Sequence, residues 1–476
     1  MIKLGNKWHP MLRHTRRVHF IGIGGAGMCG IAEVLLNMGY QVSGSELQSK
    51  EILFCLRGLG ANVIMGHYPE NVDNVDVVVY SSAVSPDNVE IVEARKRKIP
   101  VIRRAEMLAE LMRMKFSVAV AGTHGKTTTT SLVASVMAAG KLDPTVVVGG
   151  LLNAIGANAR LGTGDYLVAE ADESDGTFLS LLPSIAVVTN IDPEHLDFYG
   201  DFESLKRAFL EFMNKVPFYG FSVLCLDHPV IQELIPHVEK RFFTYGFGTQ
   251  ADYTGENYRY VDGKAVFSVR RHGEEMGEIR LNMPGRHNTE NALAAVAVAC
   301  ELNVDFGVVQ EALRNFEGIG RRLERVGESA NVLVMDDYGH HPEEIRVTLR
   351  AVREAWPGRR LVVAFQPHRY SRTEHLMDSF HTAFSDADAL FILPIYAAGE
   401  SPIEGITSGR IAEGVLAHGH KSCEETASIS ECVRGLLLEV GPSDLILTLG
   451  AGDVWKVGQD LLNRLQSNSE RTDEAG

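Results

Sequence analysis

Twice in this 476-residue chain an apolar run with the character of a strand breaks into a glycine turn and then into a helical pattern. Few folds accommodate that. Val18-His19-Phe20-Ile21 leads into Gly22-Ile23-Gly24-Gly25-Ala26-Gly27-Met28, and Ile31, Val34, Leu35 and Met38 then recur at helical spacing. Tyr40 to Ser43 follows at once as a second strand, which completes a βαβ unit. Further on, Phe116 to Ala121 leads into Gly122-Thr123-His124-Gly125-Lys126-Thr127-Thr128 and a helix from Thr129 to Ala139. A helical crossover between neighbouring strands makes them parallel, with helices covering both faces of the sheet.

The same α/β alternation fills three blocks, and the spacing predicts domains at 1–115, 116–322 and 323–476. The first contains a third strand, Val75 to Tyr80, running into Ser81-Ser82, and a helical run from Ala105 to Met112. The second adds strands Val146 to Val148, Tyr166 to Ala169 and Ile185 to Thr189, a less regular stretch from Ser222 to Leu281, and an alanine-rich helix from Asn291 to Cys300. The third carries strands at Asn331 to Met335, Leu361 to Phe365, Ala389 to Leu393 and Leu445 to Leu449, with Gly450-Ala451-Gly452 opening a last helix. The polar tail from Gln466 to Gly476 has little to bury and is expected to fray.

Composition narrows the function. A formal net charge of -15 argues against nucleic acid or an anionic membrane surface as a partner. The six cysteines are scattered, with no C-x-x-C pair, which fits a reducing, cytoplasmic setting better than a zinc site or a disulfide framework. The basic N-terminus runs into glycine-broken sequence and does not read as a leader, and no apolar run approaches the ~20 residues of a membrane span.

The sharpest chemical signal is the loop Gly122-Thr123-His124-Gly125-Lys126-Thr127 between a strand and a helix. There the helix N-terminus favours anions, Lys126 can neutralise terminal phosphates, and the Thr127 hydroxyl can ligate Mg²⁺. It departs from the full P-loop pattern, because Val120 occupies the first glycine position. Strand Tyr166 to Ala169 delivers Glu170, followed by Asp172, Glu173 and Asp175, to its carboxyl edge, where an acid is placed to hold a phosphate-bound metal. His195 follows another strand of that sheet. An isolated acidic loop is usually a solvated face and an isolated histidine usually structural; the neighbouring phosphate loop shifts both readings toward metal binding.

The glycine turn Gly22 to Gly27, with Glu46 about 20 residues on, satisfies a dinucleotide fingerprint. Its glycines say only that a pyrophosphate can approach the backbone, so a nicotinamide dinucleotide and a UDP-sugar both remain open. Ser45, Ser81 and Ser82, at or near strand ends, join Gly22, Gly24, Gly25, Ala26 and Gly27 as candidates for that site. In the third block Asp336-Asp337-Tyr338-Gly339-His340-His341-Pro342 ends one strand and Gln366-Pro367-His368-Arg369-Tyr370-Ser371-Arg372 ends the next. Arg369 and Arg372 suit a carboxylate or phosphate; the His/Asp cluster reads as a metal site or as a cap.

Taken together, GIGGAGM, AGTHGKTTTT, AEADESDGTF, TNIDPEHLDFYG, GRHNTENALAA, GIGRRLE, DDYGHHP and FQPHRYSR resemble the Mur ligases, over essentially the whole chain up to the tail. The phosphate-loop variant alone is shared with other ADP-forming amide ligases, folylpolyglutamate synthetase included. The resemblance implies a Rossmann-like N-terminal domain for a UDP-sugar, a central P-loop ATPase domain with a parallel sheet, and a C-terminal Rossmann-like α/β domain for an amino acid. GIGGAGM and DDYGHHP narrow the implied substrates to UDP-N-acetylmuramate, L-alanine and ATP, with Mg²⁺ as cofactor. It further implies Lys126 on the γ-phosphate; Thr127, Glu170 and His195 at the metal; Thr128, Asn288 and Asn291 with the loop residues around the nucleotide; Arg322 and Asp337 completing the catalytic set; and Tyr338, His340, Arg369 and Arg372 at the amino acid. A carbamylated lysine, known in sister enzymes, is not placed: Lys206 is nearby but its offset from His195 does not match the expected one, and the role stays open. A ligase that recycles a whole tripeptide, and more remotely an NAD-dependent dehydrogenase, are the rival readings. Oligomeric state is left open.

Overall fold

The computed structural model describes residues 15–81, 83–152 and 157–473. Ser82 lies outside the described residues, as do the basic residues Lys3, Lys7 and Arg13. Backbone contacts group the chain into two compact units, Met1–Asn257 with Phe267–Arg280 and Glu290–Glu317, and Tyr258–Val266 with Leu281–Thr289 and Gly318–Gly476. The first unit holds both glycine-loop sheets. Position 115, expected to end a domain, falls inside it, and helix Ala26–Asn37 packs on strands Thr145–Leu152 and Ala157–Arg160 of the central sheet.

The first sheet has five parallel strands in the spatial order Asn62–Met65, Gln41–Glu46, Arg17–Ile21, Val77–Tyr80 and Val101–Arg103. Strand order reverses beside Arg17–Ile21, so the glycine turn and Ser81 emerge on either side of the crevice where open α/β sheets take ligands. Asn62–Met65 escapes the sequence reading because it is short and only half-buried, without a continuous apolar run.

The central sheet has ten strands. Its middle runs Phe242–Gly246, Phe221–Cys225, Ile185–Val188, Phe116–Ala121, Tyr166–Glu170 and Thr145–Leu152, all parallel. The expected parallel sheet is present through these strands, and at one edge Ala157–Arg160 adds an antiparallel pairing with Thr145–Leu152. That edge strand directly follows its partner, and a short return needs no helical crossover.

The second unit is built on a six-stranded sheet ordered Glu324–Ser329, Val332–Asp337, Leu445–Leu449, Leu361–Phe365, Ala389–Ile392 and Cys423–Glu425, parallel except for its first, antiparallel pair. Alternate residues of its strands enter different cores. Leu333, Met335, Val363 and Phe365 pack on one face, and Val332, Val334, Val362 and Ala364 on the other. Burial on both faces explains the unbroken apolar runs that mark these strands in the sequence. The glycines Gly450 and Gly452 precede the last helix rather than open it, and that helix, Trp455–Asp473, continues into the segment expected to fray. Leu461, Leu462 and Leu465 anchor its start in the second core, and the backbone ladder carries the turns beyond them. Among the described residues no helix is long and apolar enough to cross a membrane.

Candidate active site

Strand Phe116–Ala121 lies between Ile185–Val188 and Tyr166–Glu170, so the phosphate loop meets two other strand ends. The segment after Ile185–Val188 laces the loop in place. Thr123 N–H donates to the Asn190 carbonyl at 3.2 Å, and Asp192 N–H donates to Thr123 Oγ1 at 2.8 Å. Asn190 takes the His124 peptide by both ends, its Oδ1 accepting from His124 N–H at 2.7 Å and its Nδ2 donating to the His124 carbonyl at 3.1 Å. Gly122, at φ +138°, comes so close to this segment that a Cβ would lie 2.0 Å from Thr189 Oγ1. This accounts for the departure from the full motif: Val120 is a buried strand residue, and the close approach that demands glycine falls at position 122. Gly125, at φ +79°, opens the helix Lys126–Ala139, and its missing Cβ admits Asn291, whose Oδ1 accepts from Thr129 Oγ1 at 3.0 Å. His124 Nε2 stands 3.6 Å from Asp192 Oδ2.

Lys126 folds back along the loop. Its ammonium donates to the carbonyls of Gly122 at 2.6 Å and Thr123 at 3.0 Å, and to Glu173 Oε1 at 2.9 Å. Burial opposes its charge, but Glu173 and Glu170 outweigh that and hold it above the ordinary lysine range. Thr127 Oγ1 donates to Glu170 Oε2 at 3.0 Å, which puts a hydroxyl and a carboxylate oxygen side by side at the helix start. Thr128, next on the helix, is buried. His195, in the left-handed region at φ +55°, faces Glu194 at 3.7 Å and Glu173 at 3.9 Å.

At the other glycine turn, Gly22 and Ile23 N–H both donate to the Ser45 carbonyl, while the Ser45 hydroxyl turns into the core and donates to Glu90 Oε2 at 2.6 Å. Glu46 swings back onto the turn and accepts from Gly24 N–H at 3.0 Å. An anionic oxygen thus rests on a backbone donor of the glycine turn. Gly27 leaves room for Arg104, whose Nη1 would lie 2.6 Å from a Cβ there, and Arg104 Nη2 reaches Asp172 Oδ2 at 3.5 Å. One guanidinium therefore joins the first turn to the acidic strand end of the central sheet. Ser81 borders Gly22.

In the second unit, Asp337 is buried at the end of its strand, its oxygens accepting from Leu323 N–H and Gly339 N–H at 2.8 Å each. Burial pushes its carboxyl up to about 6 against the pull of Arg322. Arg321 and Arg322 both lie over the Tyr338 ring, and Arg321 pairs with Asp336 at 2.9 Å. From the adjacent strand ends, Arg372 Nη1 donates to His368 Nδ1 at 3.1 Å, and the His368 ring stacks on Tyr396 at 5.6 Å and 8°. Burial, then His340, Arg372 and Arg369, push His368 down to about 4, so this imidazole is neutral at pH 7. His340 packs edge-on to Tyr338 and 5.7 Å from His368, and Arg369 adopts φ +72°, strained for a non-glycine residue.

Three family models match this chain: the Mur ligase family catalytic domain over residues 17–116, the Mur ligase middle domain over 120–299, and the Mur ligase glutamate ligase domain over 321–452. The chain belongs to the Mur ligase family. It is 56% identical over 458 residues to the UDP-N-acetylmuramate–L-alanine ligase of Geotalea uraniireducens, covering 96% of this chain and 100% of that protein, and 55% identical over 457 residues to its namesake in Geobacter sulfurreducens, covering 96% and 99%. Among solved structures, the UDP-N-acetylmuramate-alanine ligase MurC of Thermotoga maritima superposes with a TM-score of 0.81 at 30% identity, over 95% of this chain and 99% of that one. A murein peptide ligase from Psychrobacter arcticus shares the fold, with a TM-score of 0.68 at 24% identity, over 94% and 98%.

In this Mur ligase Lys126, Thr127, Glu170 and Asn291 converge on the phosphate loop, and one Asn288 Nδ2–H donates to the Pro284 carbonyl at 2.7 Å. The sequence shows no sign of Asn190 or Arg104 here, and it marks Glu173 only as a candidate metal-side acid, not as the partner of Lys126. Asn190 lay within a quoted motif but announced no chemistry by its residue type. Arg104 stands 77 residues after Gly27 along the chain, and only the fold brings the two together.

Proposed function

We propose that this chain joins L-alanine to the lactyl carboxylate of UDP-N-acetylmuramate, cleaving ATP to ADP and phosphate, in the synthesis of peptidoglycan precursors. The observation that carries this reading is identity above 50%, along nearly the full length, to curated ligases of that name. The local chemistry agrees with it. A carboxylate is a poor electrophile, so one of its oxygens must first take the γ-phosphoryl group, with ADP as the leaving group. The alanine amine then attacks the acyl carbon of the resulting acyl phosphate, expelling phosphate and losing a proton. Lys126 is the group we assign to the charge that develops on the transferring phosphoryl oxygens.

We assign Mg²⁺ to Thr127 and Glu170, and to His195, which stands 3.9 Å from Glu173: the Thr127 hydroxyl and Glu170 carboxylate already converge, and hard oxygen donors fit that cation. When bound, it would neutralise phosphate charge. The first glycine turn, with Arg104, is assigned to the UDP-sugar pyrophosphate, and the Arg372–His368–Tyr338 cluster to alanine. Enclosure of the reacting groups would protect the acyl phosphate from water.

The test is direct. Purified protein is supplied with ATP, Mg²⁺, UDP-N-acetylmuramate and an equimolar mixture of L-alanine and the recycling tripeptide, and products are identified by mass. The alanyl product with stoichiometric ADP is expected; a tripeptide adduct, or ADP formation indifferent to the sugar nucleotide, would overturn the assignment.

A further inference from the structure

Glu173 is one of the most enclosed acids in the first unit, at 1% exposure, and one of its oxygens, Oε2, is buried without a hydrogen-bond partner. Its other oxygen holds Lys126. The remaining contacts of that ammonium are the carbonyls of Gly122 and Thr123, which belong to the loop itself. An ammonium has three N–H donors, and here all three are engaged. A nucleotide phosphate can recruit Lys126 only by taking a donor from one of them. The two carbonyls are fixed by the lacing of the loop to Thr189, Asn190 and Asp192, so the contact that can yield is the one to Glu173.

We propose that Glu173 is a positioning residue that acts as an internal stand-in for phosphate, holding the Lys126 ammonium at the loop and competing with nucleotide for it. The proposal rests on the reading of this loop as the ATP site. Its consequence is a bound state in which Glu173 has given up its cation close to incoming phosphate charge. Nucleotide affinity is thereby held down, and the returning ion pair helps to expel ADP after each turnover. Tyr199, which donates to the Glu173 carbonyl at 2.6 Å, fixes the backbone of the acid so that the carboxylate remains within reach of the lysine.

The experiment compares wild type, Glu173→Asp and Glu173→Gln by calorimetric titration with ADP in EDTA, so that no metal contributes. Gln is nearly isosteric but uncharged, and Asp keeps the charge while drawing it back from Lys126. Loss of a competing charged hydrogen bond should tighten ADP binding by about tenfold in Glu173→Gln, with Glu173→Asp intermediate. Melting temperatures report folding, and if Gln does not fold, the Asp variant decides by the same criterion. Unchanged or weaker ADP binding in EDTA overturns the proposal. So does weakening seen only when Mg²⁺ is restored, which would make Glu173 a metal ligand. Wild-type protein that binds no ADP at all would instead remove the nucleotide reading of the loop, an outcome distinct from either.

Discussion

Asn190 pairs with the His124 peptide as one amide with another, accepting at 2.7 Å and donating at 3.1 Å. The pairing sets the height of the phosphate loop above its sheet, because His124 lies between the two glycines that shape it. Asn190→Asp keeps the acceptor but places an anion against the His124 carbonyl. Loss of one hydrogen bond with added repulsion amounts to ~1–3 kcal/mol, so the KM for ATP should rise about 5- to 100-fold while the KM for the sugar nucleotide stays near wild type. A variant with both constants unchanged would show that the loop holds its shape without this clamp.

Lys126→Ala should abolish ligation and leave UDP-N-acetylmuramate binding intact, because the lysine contacts only the loop and Glu173 among its hydrogen-bond partners. Glu170→Ala should raise the Mg²⁺ concentration required for half-maximal activity steeply, since it removes an anionic oxygen beside the Thr127 hydroxyl. Equilibrium binding of the sugar nucleotide and a metal titration of turnover check the two. Loss of sugar-nucleotide binding in Lys126→Ala would contradict the separation of the two sites.

Arg104 should prove essential to the first site although no motif marks it. Its guanidinium lies against the Gly27 position at the start of a helix, where a cation is unfavourable unless an anion shares the space. Arg104→Ala is expected to weaken UDP-N-acetylmuramate binding by about one to two powers of ten, the range of a lost charged hydrogen bond, with ADP affinity unaffected. Weakened ADP binding with normal sugar-nucleotide binding would reassign the residue to Asp172 and the metal side.

The readable parts of this chain are those where one local rule suffices. Residues 116 to 129 carry strand, glycine loop, lysine and helix in sequence, and the structure places them so. Strands of the second unit are legible because both their faces are buried, as at Leu361–Phe365. Legibility fails where the deciding partner is distant in the chain. Ser45 looks like a strand-end ligand residue, yet its hydroxyl serves Glu90; Asn288 and Asn291 share a helix three residues apart and find entirely different partners. The short edge strands Asn62–Met65 and Cys423–Glu425 are set by neighbours rather than by their own alternation.

Glu90 should act as a pH-linked support of the first sheet. It is fully buried, accepts from Ser45 and Asn71, and lies near His19 and His67. Burial would raise its pKa, but His19 at 3.7 Å and the hydrogen bonds from Ser45 and Asn71 prevail and hold the carboxyl below the ordinary glutamate range. A depressed carboxylate pKa contributes stability that is complete above the unfolded value, about 4.3, and is lost as pH falls through the lower folded value. Glu90→Gln should therefore cost ~1–3 kcal/mol at pH 7, and its deficit should narrow between about pH 5 and pH 3. Denaturant melts at those pH values check this; a deficit constant with pH would mean the carboxylate charge plays no part.

Arg372 is the residue on which the amino-acid assignment turns. It donates to His368 Nδ1 and to the His368 carbonyl at 3.3 Å, which fixes the imidazole as the neutral form with its proton on Nε2. Tyr396 backs that ring face to face, and His340 approaches from the neighbouring strand end. The cluster thus offers a small ligand a guanidinium, a neutral N–H donor and aromatic walls, with no group among these that would hold the ammonium of an amino acid charged. Such a site can grip an α-carboxylate while leaving the amine free to attack. Arg372→Ala should raise the KM for alanine by one to three powers of ten, of the order of ~2–4 kcal/mol, with the KM for ATP little changed. Because the same substitution frees His368, Arg372→Lys separates the two effects: a lysine restores charge without the fork, so the KM should recover only in part. A normal KM for alanine in Arg372→Ala together with a lowered Tm would reduce the arginine to a structural support of His368 and leave the carboxylate to Arg369.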